Sequence, residues 1–149
     1  MRKSIFTLLG IILATASVVA ATFVDDDRAI KYEQLPAKAR KFIASHFPNE
    51  QPSYTFEDRD FAHTEYKVML ESGAKIEFDG NGEWSDVECR GGAVPAAIVP
   101  AKIADYVAKH HASSTIVEIS KDRYEWDVKL NNGIELEFNS DYRLVDVDD

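Results

Sequence analysis

The chain carries one pattern twice, and this self-similarity constrains its fold more than any other feature. Residues 66–78 (YKVMLESGAKIEF) align without a gap on residues 126–138 (WDVKLNNGIELEF). The same register carries Asp86-Val87 onto Asp146-Val147. Upstream, residues 35–46 (LPAKARKFIASH) align on residues 99–110 (VPAKIADYVAKH), with a slightly longer connection after the first of these blocks. A period of this length marks a duplicated supersecondary unit. Each unit is about 55–60 residues, a size at which a lone core is marginal, so the two are expected to share a core or pack closely.

The local pattern within each unit is a helix followed by strands. Leu35, Ala39, Phe42, Ile43 and Phe47 fall at helical spacing, with Pro36 suited to the first turn and Pro48 as the stop. Four strand-like runs follow: Ser53 to Asp58, His63 to Glu71, Ala74 to Asp79 and Trp84 to Cys89. Gly73 and residues 79–82 (DGNG) mark turns between them. In the second unit Ile103, Tyr106 and Val107 occupy the apolar side of a helix from about Ala101 to His111. Thr115 to Ser120, Arg123 to Leu130, Ile134 to Asn139 and Arg143 to Asp148 repeat the strands, with Asn132-Gly133 as a hairpin signal. The expected fold is α+β: two tandem repeats, each a helix followed by a four-stranded antiparallel meander, with the helices packed on one face of the sheet or sheets. The expected divisions are 1–21 an export signal, 22–31 an acidic leader without regular structure, 32–90 the first repeat and 91–149 the second.

The signal assignment rests on Arg2 and Lys3 followed by an uncharged run from Ile5 to Ala21, with small residues for cleavage after Ala20 or Ala21. The run is short for a membrane span and no second span follows. An uncleaved anchor is the rival reading. The 149 residues carry a formal net charge of −9 and a pI near 4.9. Basic patches that would neutralise phosphates are missing, which argues against nucleic acid and against an anionic membrane surface as partners. Cys89 is the only cysteine, so stability must come from packing rather than an internal disulfide. It reads either as a small apolar residue at a strand end or as a thiol available for a disulfide dimer.

The helix ending in His46-Phe47-Pro48, the strand pattern Tyr66-x-Val68-x-Leu70, the Gly73 turn and the run from Ile76 to Gly82 resemble the PepSY-like proteins. These are also described as β-lactamase-inhibitor-protein-like, and are common as small exported proteins of Bacteroides-type bacteria. The resemblance covers roughly Tyr32 to Asp149. It implies tandem helix-plus-sheet units and a periplasmic or surface location, and related domains are associated with peptidase inhibition or regulation. The shared positions are turns and core residues, so the resemblance carries no functional residue across.

No nucleophile elbow, zinc-protease helix, Cys-x-x-Cys, phosphate loop or dinucleotide fingerprint occurs. Residues 79–83 (DGNGE) begin like a calcium loop, but Trp84 and Arg90 stand where such a loop needs its sixth-position Gly and twelfth-position Glu, so a turn is expected. His110 and His111 are adjacent and cannot share one helix face. No metal or cofactor is therefore expected. Strand alternation places Trp84, Glu77, Asp86 and Met69, with Lys129, Glu137, Leu144 and Asp146, on the sheet face away from the helices. A Trp among charges there is a candidate anchor for a partner. The competing reading is a Trp that covers a sheet edge or packs against the other repeat. The expected function is an exported, non-enzymatic protein-binding module, an inhibitor or a periplasmic sensor, whose partner is a protein or peptide of the cell envelope. The alternative is a small-ligand or cation-binding envelope protein using the acidic face, and an enzyme stands third.

Overall fold

Two prolines begin the helices. Pro36 and Pro100 hold extended backbone immediately before α1 (Ala37–His46) and α2 (Ala101–His110). Their fixed φ suits the entry and their missing N–H costs nothing there. Each helix ends where the next N–H turns back on it: Phe47 N–H donates to Ile43 O and His111 N–H to Val107 O, both at 2.8 Å. One stripe of each helix is buried, through Ala39 and Ile43 in α1 and Ile103 and Val107 in α2.

The computed structural model describes residues 27–149. The expected export signal and the first residues of the expected acidic leader lie outside the described residues. The strands are β1 (Asp27–Ala29), β2 (Pro52–Arg59), β3 (Thr64–Leu70), β4 (Lys75–Asp79), β5 (Trp84–Glu88), β6 (Ile116–Lys121), β7 (Glu125–Leu130), β8 (Glu135–Asn139) and β9 (Leu144–Asp148). They form one sheet whose spatial order is the order of the chain, every pairing antiparallel.

The expected architecture of two repeats, each a helix with its own four-stranded meander, is therefore corrected. The described residues form a single nine-stranded sheet with two helices, a mostly β structure. The joint is the pairing of β5 with β6, Asp86 opposite Ser120, Val87 opposite Ile119 and Glu88 opposite Glu118. Separate sheets would leave rows of unpaired backbone groups on both strands, and joining them satisfies both rows. The segment read as an irregular leader is also ordered in part. Its Asp27, Arg28 and Ala29 pair with Asp58, Glu57 and Phe56 of β2. Arg28 forms a 2.6 Å ion pair with the buried Glu57, which the 3.0 Å contact of Arg59 also neutralises.

The core lies between the helices and one face of the sheet. Val68, Leu70, Ile76, Phe78, Val87, Ile119, Val128, Leu130, Leu136 and Phe138 alternate onto that face and are essentially inaccessible to water. Phe42 of α1 meets Phe78 edge-on at 5.7 Å, and Tyr106 of α2 meets Phe138 the same way at 5.5 Å. Edge-to-face contact is a favoured geometry for aromatic pairs.

The β4–β5 and β8–β9 turns share one left-handed position. Gly82 holds φ 81° and Tyr142 holds φ 62°. A Cβ on Gly82 would stand 2.8 Å from Pro36 Cβ, so here the turn lies against the start of α1 and only glycine fits. The Tyr142 ring instead packs 5.5 Å from Trp126.

Candidate functional site

A β-bulge decides which side chains share the open face. Along β4, Glu77 and Phe78 are neighbours, yet their partners on β5 are Asp86 and Trp84. Ser85 is the extra residue, and beyond it the alternation of β5 is reversed. Trp84 is thereby turned onto the helix-bearing face. Its ring stacks on Phe42 at 5.9 Å and meets Trp126 at 5.8 Å, while Lys121 Nζ sits 4.3 Å from its centroid. The same bulge in β9 sets Leu144 opposite Phe138 and against the core. Two of the eight residues expected on the open face, Trp84 and Leu144, are therefore not there. Trp84→Ala is expected to lower stability by roughly 2 kcal/mol, less than for a fully buried Trp, because the ring is only half-buried. Urea unfolding would check this, and a variant as stable as the parent would show that the ring contributes no packing.

The other six do share that face. Glu77, Asp86, Glu137 and Asp146 belong to one row that crosses the sheet in register: Lys67, Glu77, Asp86, Ser120, Asp127, Glu137, Asp146. The neighbouring row runs Met69, Lys75, Glu88, Glu118, Lys129, Glu135, Asp148. Cations are interspersed: Lys129 Nζ lies 2.8 Å from Glu135, Lys75 Nζ 3.5 Å from Glu88, and Lys67 Nζ 3.6 Å from Asp27 and 3.7 Å from Asp58. Asp127 joins the face by the same alternation as Lys129. Glu118 and Ser120 also belong to it and are absent from the set picked out by sequence. Their placement depends on the β5–β6 pairing, which alternation within one strand does not reveal.

The row is electrostatically strained where β5 meets its neighbours. Burial, then the carboxylates of Glu118, Glu77 and Glu88, push Asp86 up to about 8, against the opposing pull of Lys75. Burial, then Glu125, Glu137, Asp122 and Glu135, push Asp127 up to about 7. Glu77 and Glu118 are raised too, chiefly by burial. Like charges on adjacent strands, partly shielded from water, disfavour ionisation together.

Other candidates resolve into structural roles. Asp79 Oδ1 accepts the N–H groups of Asn81 and Glu83, both at 2.9 Å, and Asn139 does the same for Asp141 and Arg143 at 3.0 Å. The carboxylate that began the calcium-like motif is thus engaged by its own turn. The His46 ring lies 4.6 Å from Phe42, and His110 stacks on Tyr106 at 4.2 Å. Among the described residues no three His, Cys, Asp or Glu side chains gather as a metal ion requires. Cys89 is buried at the edge of a hollow of about 370 Å³ that also touches Phe47, Ser72 and Arg90. Burial, then Glu50 and Glu88, push its thiol up to about 11, which keeps it protonated and unreactive at neutral pH.

A nine-stranded antiparallel sheet with two helices over one face and a charged open face on the other defines a small, mostly β domain. The chain belongs to the PepSY-like family: the family described as "Putative beta-lactamase-inhibitor-like, PepSY-like" matches residues 64–146. Solved structures agree over nearly their whole length. A "putative periplasmic protein" of the DUF2874 family from Bacteroides vulgatus is 36% identical, with TM-score 0.82, covering 85% of this chain and 99% of its own. A "putative calcium-regulated periplasmic protein" from Bacteroides thetaiotaomicron is 35% identical, with TM-score 0.81, covering 83% and 98%. A second Bacteroides vulgatus periplasmic protein, "of unknown function", is 29% identical, with TM-score 0.79, covering 83% and 99%. No curated protein matches the chain. The family is an exported one and the neighbours are periplasmic, which places this protein outside the cytoplasm. Among the described residues no helix is long and apolar enough to cross a membrane.

Proposed function

We propose that the protein is a non-enzymatic binding module that receives a basic protein partner on its open sheet face. One observation carries the reading: Glu77, Asp86, Asp127, Glu137 and Asp146 stand in a single cross-strand row. Crowded carboxylates on a sheet face gain from an incoming Lys or Arg, which restores the ionisation that burial, and then their mutual repulsion, suppress. Acids spread along a row also steer association more than they anchor it, so binding should be fast and salt-sensitive. The beta-lactamase-inhibitor-like description of the family makes an envelope enzyme the first partner class to try. A sensor of extracytoplasmic peptides would use the same face.

The immobilised mature protein, exposed to envelope extract, is expected to retain a partner that elutes with salt. Retention should fall sharply for the double variant Glu77→Gln, Asp127→Asn. Equal retention by parent and variant would overturn the assignment of the face.

A cation-binding role is the second reading, favoured by the similarity to the "putative calcium-regulated periplasmic protein". Its mark would be a melting temperature that rises in millimolar calcium and returns on chelation. A melting temperature indifferent to calcium would exclude it.

A further inference from the structure

The two outer strands of the sheet are finished differently. At one side the three-residue β1 covers β2. At the other, β9 has a partner on only one edge among the described residues. β9 is also the internal counterpart of β5: Asp86 and Asp146 face Glu77 and Glu137, Val87 and Val147 face Ile76 and Leu136, and both strands carry the same bulge. β5, unlike β9, has its second edge filled, by β6. On that edge Cys89 N–H donates to Val117 O at 2.7 Å. By alternation Val87, two residues earlier, aims its N–H the same way, and so does its counterpart Val147 at the free edge.

Two observations mark that edge as unfilled. Val145 and Val147 are 55% and 45% exposed, the only two large apolar residues of β9 so placed. The Val147 N–H, which has no strand beside it among the described residues, is met at 2.9 Å by the carboxylate of its own neighbour Asp146. An incoming strand would replace that carboxylate with a backbone carbonyl and leave Asp146 free to pair with a cation. Asp148 stands on the same side of the strand.

We propose that the outer edge of β9 binds an extended peptide segment by adding it as a tenth antiparallel strand. The segment carries Lys or Arg at alternate positions, facing Asp146 and Asp148, and a β-branched residue between them, facing Val147. Main-chain bonds supply the affinity in this mode of recognition and the alternate side chains supply the choice of sequence. The β5–β6 joint sets the register: the position of Ser120 falls opposite Asp146 and that of Glu118 opposite Asp148. A second copy of the chain is disfavoured as the occupant, since β9 against β9 would bring Asp146 and Asp148 of both copies together. This inference does not rest on the open-face reading: it needs the backbone edge of β9, and it shares with that face only Asp146 and Asp148 at the ends of the two rows.

The test uses a capped synthetic peptide of residues 116–121 carrying Glu118→Lys and Ser120→Lys, titrated into the isotopically labelled mature protein. Amide shifts are expected along β9, with slowed hydrogen exchange at Val147. The unmodified peptide, and the protein variant Asp146→Asn, Asp148→Asn, should each bind about tenfold more weakly or worse. Glu77→Gln with Asp127→Asn should leave peptide binding unchanged, which separates this site from the open face. No shift on β9, shifts confined to another surface, or equal binding of both peptides would overturn the proposal. So would concentration-dependent self-association through β9, seen by sedimentation and abolished by Val147→Lys.

Discussion

Phe78→Ala and Phe138→Ala are each expected to cost roughly 3–5 kcal/mol, the range for a buried aromatic cut to alanine in a core that collapses only in part. Both rings are 0% exposed, and each receives an aromatic from its own helix, Phe42 and Tyr106. More informative than the magnitude is its distribution. The β5–β6 joint makes the sheet continuous, and Trp84 reaches Trp126 across it. Damage under α1 should therefore be felt under α2. Urea unfolding followed by tryptophan fluorescence and by circular dichroism should give one transition for the parent, shifted as a whole in either variant. Two transitions, only one of them moved, would show that the halves fold independently in spite of the shared sheet.

The stability of the protein should fall as pH rises through neutrality, opposite to the usual carboxylate trend. Asp86 titrates near 8 in the folded protein against an ordinary value of 3.8. Between those values the folded chain holds a proton that the unfolded chain has released. The stabilisation is fully present below pH 4 and is lost as pH approaches and passes 8. Asp127, near 7, adds in the same direction. Allowing for solvent screening of a half-buried group, the loss between pH 5 and pH 9 should be on the order of 2 kcal/mol. Asp86→Asn cannot ionise, so it should be more stable than the parent at pH 9 and should flatten the profile. A parent whose stability rises over this range, or a variant that keeps the full slope, would rule out Asp86 as the source.

The parts of this fold that follow from near neighbours in the chain are legible in the sequence. The strand patterns around Val68, Ile76 and Phe78, the hairpin at Asn132-Gly133 and the helices behind Pro36 and Pro100 all depend on spacing within a dozen residues. Six of the eight residues expected on the open face follow from the same alternation. Trp84 and Leu144 escape it because Ser85 and Val145 are bulged, and one extra residue sends everything on one side of it to the other face. Nothing in the local pattern distinguishes a bulged serine from a paired one. The single sheet is hidden for a different reason: whether β5 pairs with β6 depends on residues about thirty positions apart, joined through α2. β1 is hidden because Asp27 and Arg28 have little strand preference of their own. The ladder to β2, the Arg28–Glu57 ion pair and Lys67 hold them in place.

The order of the strands bears on how such a chain becomes folded after crossing a membrane in an extended state. Each strand of the sheet lies beside the strand that precedes it in sequence. A chain emerging from its amino terminus can therefore dock every new strand on one already in place, without waiting for a distant segment. Only the two helical connections lengthen the step between neighbours. Pairings that are close in sequence lose little loop entropy before they are rewarded, and they leave a half-built sheet exposed only briefly. With a single cysteine there is no oxidation step to await, so assembly can keep pace with delivery.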